Sequence, residues 1–223
     1  MNIDIDQQVG ELLNRFPDLR LAPTVEKHVL RLITGVLSFE ATDEHGNNHL
    51  DGTFQIDLLV PTDFPRSPPR VKETGGRIPS DFHRFSDDQT LCLGSPLRLR
   101  VELHRRPSLL GFVETCVLPY FYGFLRNQQD GQMPFDELEH GARGLLDDYR
   151  RLLGAPSDQA CIRMLEILSL RKRVANKLPC PCGSDKRVGQ CHHHRLNAIR
   201  QVAPLSWFRE AARGLKLSLA RNP

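Results

Sequence analysis

Three prolines within five residues, in Phe64-Pro65-Arg66-Ser67-Pro68-Pro69, set the tightest limit on how this chain folds. Proline has a fixed φ and no amide proton, so such a segment lies in neither a helix nor a central strand. It reads as a rigid connection at the end of a sheet. The residues before it agree. Phe54, Ile56, Leu58 and Val60 alternate with Thr53, Gln55, Asp57 and Leu59, the period of a strand with one buried face. Residues 29 to 39 form a second run rich in β-formers, and His45-Gly46-Asn47-Asn48 supplies a turn between the two. A short strand over residues 70 to 72 follows the prolines.

The rest of the chain is mostly helical in pattern. Ile5, Val9, Leu12, Leu13 and Phe16 fall on one face of a helix within residues 3 to 18. Residues 74 to 90 have almost no periodicity, which predicts a long irregular loop, functional or disordered. It closes on Leu91-Cys92-Leu93. Residues 108 to 125 read as a helix kinked or broken at Pro119. Residues 136 to 153 read as a helix ended by Gly154 and Pro156. Ser157 can cap a further helix running to about Ala175, with Cys161, Met164, Leu165 and Leu168 on its stripe. Residues 204 to 218 form an amphipathic segment carrying Trp207 and Phe208, suited to docking on the main domain or on a partner.

At 223 residues the chain is long enough for one full core and a smaller appendage. No stretch approaches the ~20 apolar residues of a membrane span, and the start Met1-Asn2-Ile3-Asp4 lacks the basic, apolar pattern of a secretory signal. The expectation is a cytoplasmic protein with no membrane partner. Charge is uneven: residues 171 to 223 carry 12 Lys and Arg against 2 acids, a net +10, whereas residues 1 to 170 carry 18 against 25, a net −7. A boundary near residues 170 to 178 follows.

Three of the six cysteines lie close together in Cys180-Pro181-Cys182 and Cys191-His192. The pattern Cys-x-Cys-x8-Cys-His offers three thiolates and an imidazole, a donor set suited to tetrahedral Zn²⁺. With all four positions supplied by Cys180, Cys182, Cys191 and His192, the zinc would be structural. His193 and His194 compete with His192 as fourth ligand on residue type alone. Pro179-Cys180-Pro181-Cys182-Gly183-Ser184 resembles the start of the SEC-C motif, a short zinc-binding element, and that spacing favours His192. Cys116 and Cys161 sit on apparent helix faces and read as packing residues. Around the metal motif, Lys172, Arg173, Lys177, Lys186, Arg187, Arg195 and Arg200 form a basic tail, either a solvated face or one meeting an acidic partner or nucleic acid.

The order helix, β-meander, proline turn, long loop, cysteine, helix resembles the ubiquitin-conjugating enzymes over residues 30 to 125. Asp51-Gly52-Thr53-Phe54-Gln55-Ile56 is similar to a strand segment of that family. Phe64-Pro65-Arg66-Ser67-Pro68-Pro69-Arg70-Val71 matches its aromatic-Pro-x-x-Pro-Pro-x-Val signature. Leu91-Cys92-Leu93 matches the surroundings of its catalytic cysteine. The implied fold is α+β: a UBC-like core of N-terminal helix, antiparallel meander and C-terminal helices, with a small zinc-stapled C-terminal element. The implied division is residues 1–155 for the conjugating-like domain, 156–177 for a connecting helix, 178–195 for the SEC-C motif and 196–223 for a basic amphipathic tail.

The resemblance implies that an activating enzyme passes a ubiquitin-like modifier to Cys92 as a thioester, which an amine on a target protein then attacks. The family's His-Pro-Asn is absent. His83, nine residues before Cys92, stands where its histidine would, with no proline or asparagine after it. Asp87, Asp88 and Ser86 are candidates to support the site, an acid near Cys92 serving to deprotonate the incoming lysine, and His104 is another. The downstream part, with His140-Gly141, is more like bacterial members, whose systems often sit in antiviral defence operons. The alternative is a catalytically inactive UBC- or RWD-like adaptor that recruits partners through its zinc motif.

Overall fold

The structure, a computed structural model, describes residues 4–42, 49–131 and 141–221. The turn expected at residues 45 to 48 and His140 lie outside the described residues. The chain divides into two units, Met1–Gly94 with Glu102–Asp136, and Ser95–Val101 with Glu137–Pro223.

The first unit opens with helix α1 (Ile5–Arg15), whose N-cap Asp4 accepts amide protons from Asp6 and Gln7. Strands β1 (Leu19–Ala22), β2 (Val29–Thr42), β3 (His49–Pro61) and β4 (Arg70–Glu73) form one antiparallel sheet in sequence order. The alternation in β3 is realised: Phe54, Ile56, Leu58 and Val60 are buried. Leu59, expected on the other face, is buried as well. The proline segment joins β3 to β4, and its Phe64–Pro65 peptide is cis.

The helix expected over residues 108 to 125 is present with a change of pitch. It runs as α3 (Leu109–Phe112), a π-helical turn over Val113–Val117, and α4 (Leu118–Asp130). Pro119 has no amide to give, and just before it the Leu118 N–H reaches back to the Val113 carbonyl, so the wider turn absorbs the gap without breaking the helix. Gly131 ends α4 in the left-handed conformation (φ 70°). Phe121 of α4 stacks on Phe54 of β3 with ring centroids 4.1 Å apart, and Phe39 and Phe124 complete this aromatic core.

One helix was not expected. Pro96–Arg105 forms α2 directly after the cysteine segment, with Pro96 at its start and the Ser95 hydroxyl accepting the Arg98 N–H at 3.2 Å. Its last residues belong to the first unit and its first turns to the second.

In the second unit, Leu97 and Val101 of α2 pack with α5 (Ala142–Leu153), α6 (Asp158–Leu168), α8 (His193–Ile199) and α9 (Leu205–Arg221) around Met164, Leu165 and Phe208. The contacts group α5 with the C-terminal helices: Leu146, Tyr149 and Leu153 share one core with α6 and α9. Ser95 donates to the buried Asp148 carboxylate, which also accepts from Arg98, so α2 is tied to α5 by a buried polar cluster. The α6 helix stops at Leu168, short of the expected Ala175, and a separate turn α7 (Lys172–Ala175) follows. Arg200 accounts for the stop: its guanidinium donates to the carbonyls of Ile167, Leu168 and Leu170 at the C-terminus of α6. Arg200 is therefore an internal helix cap and not part of a free basic face. The segment carrying Trp207 and Phe208 is α9, and it packs on α6 with Phe208 fully buried. No helix among the described residues is long and apolar enough to cross a membrane.

Candidate functional site

Cys92 closes the long loop, half-buried, beside the fully enclosed Leu91. Its backbone is fastened on two sides. Leu91 N–H donates to the Val71 carbonyl of β4 at 2.7 Å, and Cys92 N–H donates to the His83 carbonyl at 2.7 Å. Arg84 and Leu91 pair as an isolated antiparallel bridge, and Phe85 N–H donates to Thr90 at 2.9 Å. The irregular loop therefore doubles back on itself, and the cysteine lies on the returning arm.

A buried ion pair anchors the outgoing arm. The Arg84 side chain is 8 % exposed and the Glu73 side chain 0 %; Arg84 Nη2 meets Glu73 Oε2 at 2.6 Å. Nη2 also donates to the Ile78 carbonyl at 2.9 Å, and Nη1 to the Glu73 carbonyl at 3.2 Å. Sequence reasoning missed this pair. Its signal was an acidic residue at an inward position of β4, which demands a cation.

His83, Asp87 and Asp88, the three residues expected beside Cys92, all lie on this loop. His83 reaches Cys92 through its backbone carbonyl, while its ring packs edge-on against Phe82 with centroids 4.9 Å apart. Asp88 is committed to the loop: Oδ1 accepts from Thr90 N–H and Oγ1 at 2.9 and 2.7 Å, and Oδ2 accepts from Arg70 at 2.8 Å. Burial raises its carboxyl, but the Thr90 hydrogen bonds and the Arg70 cation outweigh that and hold it below the usual range. A carboxylate so engaged is a weak proton acceptor. Asp87 is exposed and accepts the Asp88 N–H at 3.0 Å. Ser86 and His104 are exposed.

The Cys92 thiol lies above its ordinary range. Burial pushes it up, and a hydrogen bond from the Gly94 backbone N–H offsets part of the rise. Gly94 holds φ at 144°, a conformation open to glycine and to few other residues. At neutral pH the group is mostly protonated, and its thiolate fraction grows with pH. Alkylation of Cys92 by iodoacetamide, read as the difference between wild type and Cys92→Ala, is expected to show a midpoint above the ~8.5 of an ordinary thiol. A midpoint at or below neutrality would contradict this environment. Cys116 and Cys161 are fully buried and pushed up to about 11 and about 12, so they should stay unlabelled in the folded protein.

The second cluster lies in the C-terminal unit. Cys180 and Cys182 follow the Pro179–Arg187 bridge, with Cys180 N–H donating to the Lys186 carbonyl at 2.8 Å. Gly183 (φ 78°) turns the chain back. A 3-10 turn, Val188–Gln190, presents Cys191 and then His192 at the start of α8. The four ligand atoms all lie within 4.8 Å of one another. Sγ of Cys182 is 3.4 Å from Cys180 and 3.5 Å from Cys191, and His192 Nδ1 is 3.2 Å from both Cys180 and Cys191. A tetrahedron of zinc-bound thiolates has edges of about 3.8 Å, so these separations suit a central metal with only a few tenths of an ångström of expansion. Backbone amides support the sulfurs: Cys182 N–H donates to Cys180, and Ser184 N–H to Cys182. The Ser184 hydroxyl lowers the Cys182 thiol, favouring the ligand form. This Cys3His set can hold a metal ion. His193 and His194 lie on α8, outside the cluster of mutually close ligand atoms.

The chain matches no protein-family model, and neither the curated proteins nor the solved structures hold a significant match to it.

Proposed function

We propose that this protein is a ubiquitin-conjugating-type acyl carrier of UBC-like fold, with Cys92 as the acceptor and a structural Zn²⁺ on Cys180, Cys182, Cys191 and His192. The observation that carries the reading is a half-buried thiol on a backbone held from both sides, at the end of a loop fastened by the Arg84–Glu73 pair. Such a site presents one sulfur in a fixed position, which acyl transfer between proteins requires.

In the first step the Cys92 thiolate attacks the thioester carbonyl carbon of a modifier carried by its activating enzyme. The tetrahedral intermediate collapses, the new C–S bond remains, and the activating enzyme's thiolate leaves. In the second step an amine of the target attacks that carbonyl. Cys92 leaves as thiolate, stabilised by the Gly94 N–H, and the amine's proton passes to water or a nearby base. His83 supports the site through its carbonyl, and Asp88 by holding the loop to β4. The partners are a ubiquitin-like modifier, its activating enzyme and a target protein, in the setting of a bacterial conjugation system.

One observation favours a second reading, a non-catalytic adaptor that recruits partners through its metal element: the Asp88 oxygens are taken up by Thr90 and Arg70, which leaves that carboxylate a weak acceptor for an amine's proton. Incubation with the cognate activating enzyme, ATP and modifier separates the two. The acyl-carrier reading expects a reductant-sensitive adduct that is absent in Cys92→Ala and retained in Cys116→Ala. The adaptor reading expects binding without an adduct.

A further inference from the structure

Tyr120, on α4, has no part in the chemistry described so far, yet its hydroxyl is placed against the backbone that carries Cys92. Its Oη donates to the Phe82 carbonyl at 3.1 Å and lies 3.4 Å from the His83 carbonyl. The His83 carbonyl is the one that accepts the Cys92 N–H. His83 holds φ at +42°, a left-handed conformation that a residue with a Cβ adopts only at a steric cost. Something outside the turn must hold it there. The Tyr120 ring is fixed for that task, lying edge-on to Phe82 at 6.2 Å and to Phe121 at 5.7 Å. We infer that Tyr120 is a positioning residue for Cys92: its hydroxyl pins the Phe82–His83 turn to α4, and the pinned His83 carbonyl fixes the cysteine backbone.

Two further facts fit. Burial pushes the Tyr120 hydroxyl well above its ordinary value, so it remains a donor at every pH the folded protein meets. Its ionisation is also eased by Arg84 and opposed by Cys92 and Glu73, which places these groups in one neighbourhood. The role deepens the acyl-carrier reading and rests on it only for its effect on turnover. The positioning itself is testable without any partner.

The test is Tyr120→Phe, which keeps the packed ring and removes the donor. Amide hydrogen exchange should show the Cys92 N–H exchanging about three- to tenfold faster, while Phe54 and Ile56 in β3 and the melting temperature stay unchanged. The pH midpoint for alkylation of Cys92 should fall, because a freed turn lets water reach the sulfur. With charged activating enzyme, the rate of thioester formation at saturation should drop about tenfold with the half-saturating concentration preserved. Unchanged exchange at Cys92, or a uniform rise across β3, would overturn the inference. Faster exchange at Cys92 alone, with no thioester in either protein, would keep the positioning role and sink the acyl-carrier reading instead.

Discussion

Replacing Cys180 and Cys182 together by serine should strip the protein of about one Zn²⁺ per chain and unfold the hairpin that those residues anchor. Besides the four ligands, the bond from the Gly189 N–H to the Asn176 carbonyl at 3.0 Å and the packing of Leu178 on the helical core hold the hairpin. Backbone bonds from Cys180 to Lys186 and from Val188 to Leu178 join its arms, and Val188 and Cys180 touch the helical core. Residues 181 to 187 are otherwise half-exposed or exposed. Zinc sites of this ligand class bind with roughly 10–16 kcal/mol of free energy, far more than these few contacts supply. The serine oxygens are poor replacements, so the loss is close to complete. Metal analysis should read near zero, and the amides of Cys180 and Val188 should lose exchange protection. The core of α6 and α9, which buries Met164, Leu165 and Phe208, should persist, so the unfolding is local. An unchanged zinc content in the double variant would refute the ligand assignment. Acid should release the metal, since protons compete for the thiolates and the imidazole.

A second large effect is expected at the loop anchor. Arg84→Met keeps most of the bulk but leaves the Glu73 carboxylate, 0 % exposed, without its cation. Breaking a buried pair from one side costs about 3–5 kcal/mol. The remaining donors to Glu73, the amides of Arg77 and Ile78 at 3.3 Å, are long and neutral and cannot replace the guanidinium. Urea denaturation should show the loss as a lower midpoint. The double variant Glu73→Gln, Arg84→Met removes the stranded charge and should recover a large part of it. That non-additivity identifies the pair as the cause. If Arg84→Met costs under about 1 kcal/mol, the pair does not hold the loop.

Local patterns carried much of this fold. The alternation in β3, the proline connection, the helix of residues 5 to 15 and the Cys-x-Cys-x8-Cys-His spacing each express a physical constraint within one short segment. What escaped was settled at long range or masked by composition. The α2 helix carries Arg98, Arg100, Arg105 and Arg106 in or beside it, which dilutes its apolar stripe, although Ser95-Pro96 marked its start. Glu73 and Arg84 look like ordinary charged residues until the fold encloses them. Tyr120 lies 28 positions from Cys92 in the chain, and its hydroxyl meets the loop at backbone carbonyls, which no side-chain pattern reveals. The candidate carboxylates show the converse. Asp88 was legible as a polar residue near the cysteine, but Thr90 and Arg70 occupy its oxygens. Arg200 likewise read as one more member of a basic tail, and the structure spends it on the end of α6.

The central claim is that Cys92 carries an acyl group. The most direct measurement is intact-mass analysis of wild type, Cys92→Ala and Cys92→Ser after incubation with the cognate activating enzyme, ATP and ubiquitin-like modifier. Wild type should gain the mass of one modifier less water and lose it to reductant. Cys92→Ser should form an oxyester that survives reductant and yields to hydroxide, and Cys92→Ala should gain nothing. An adduct retained in Cys92→Ala, or none in wild type while the activating enzyme is itself charged, would contradict the account.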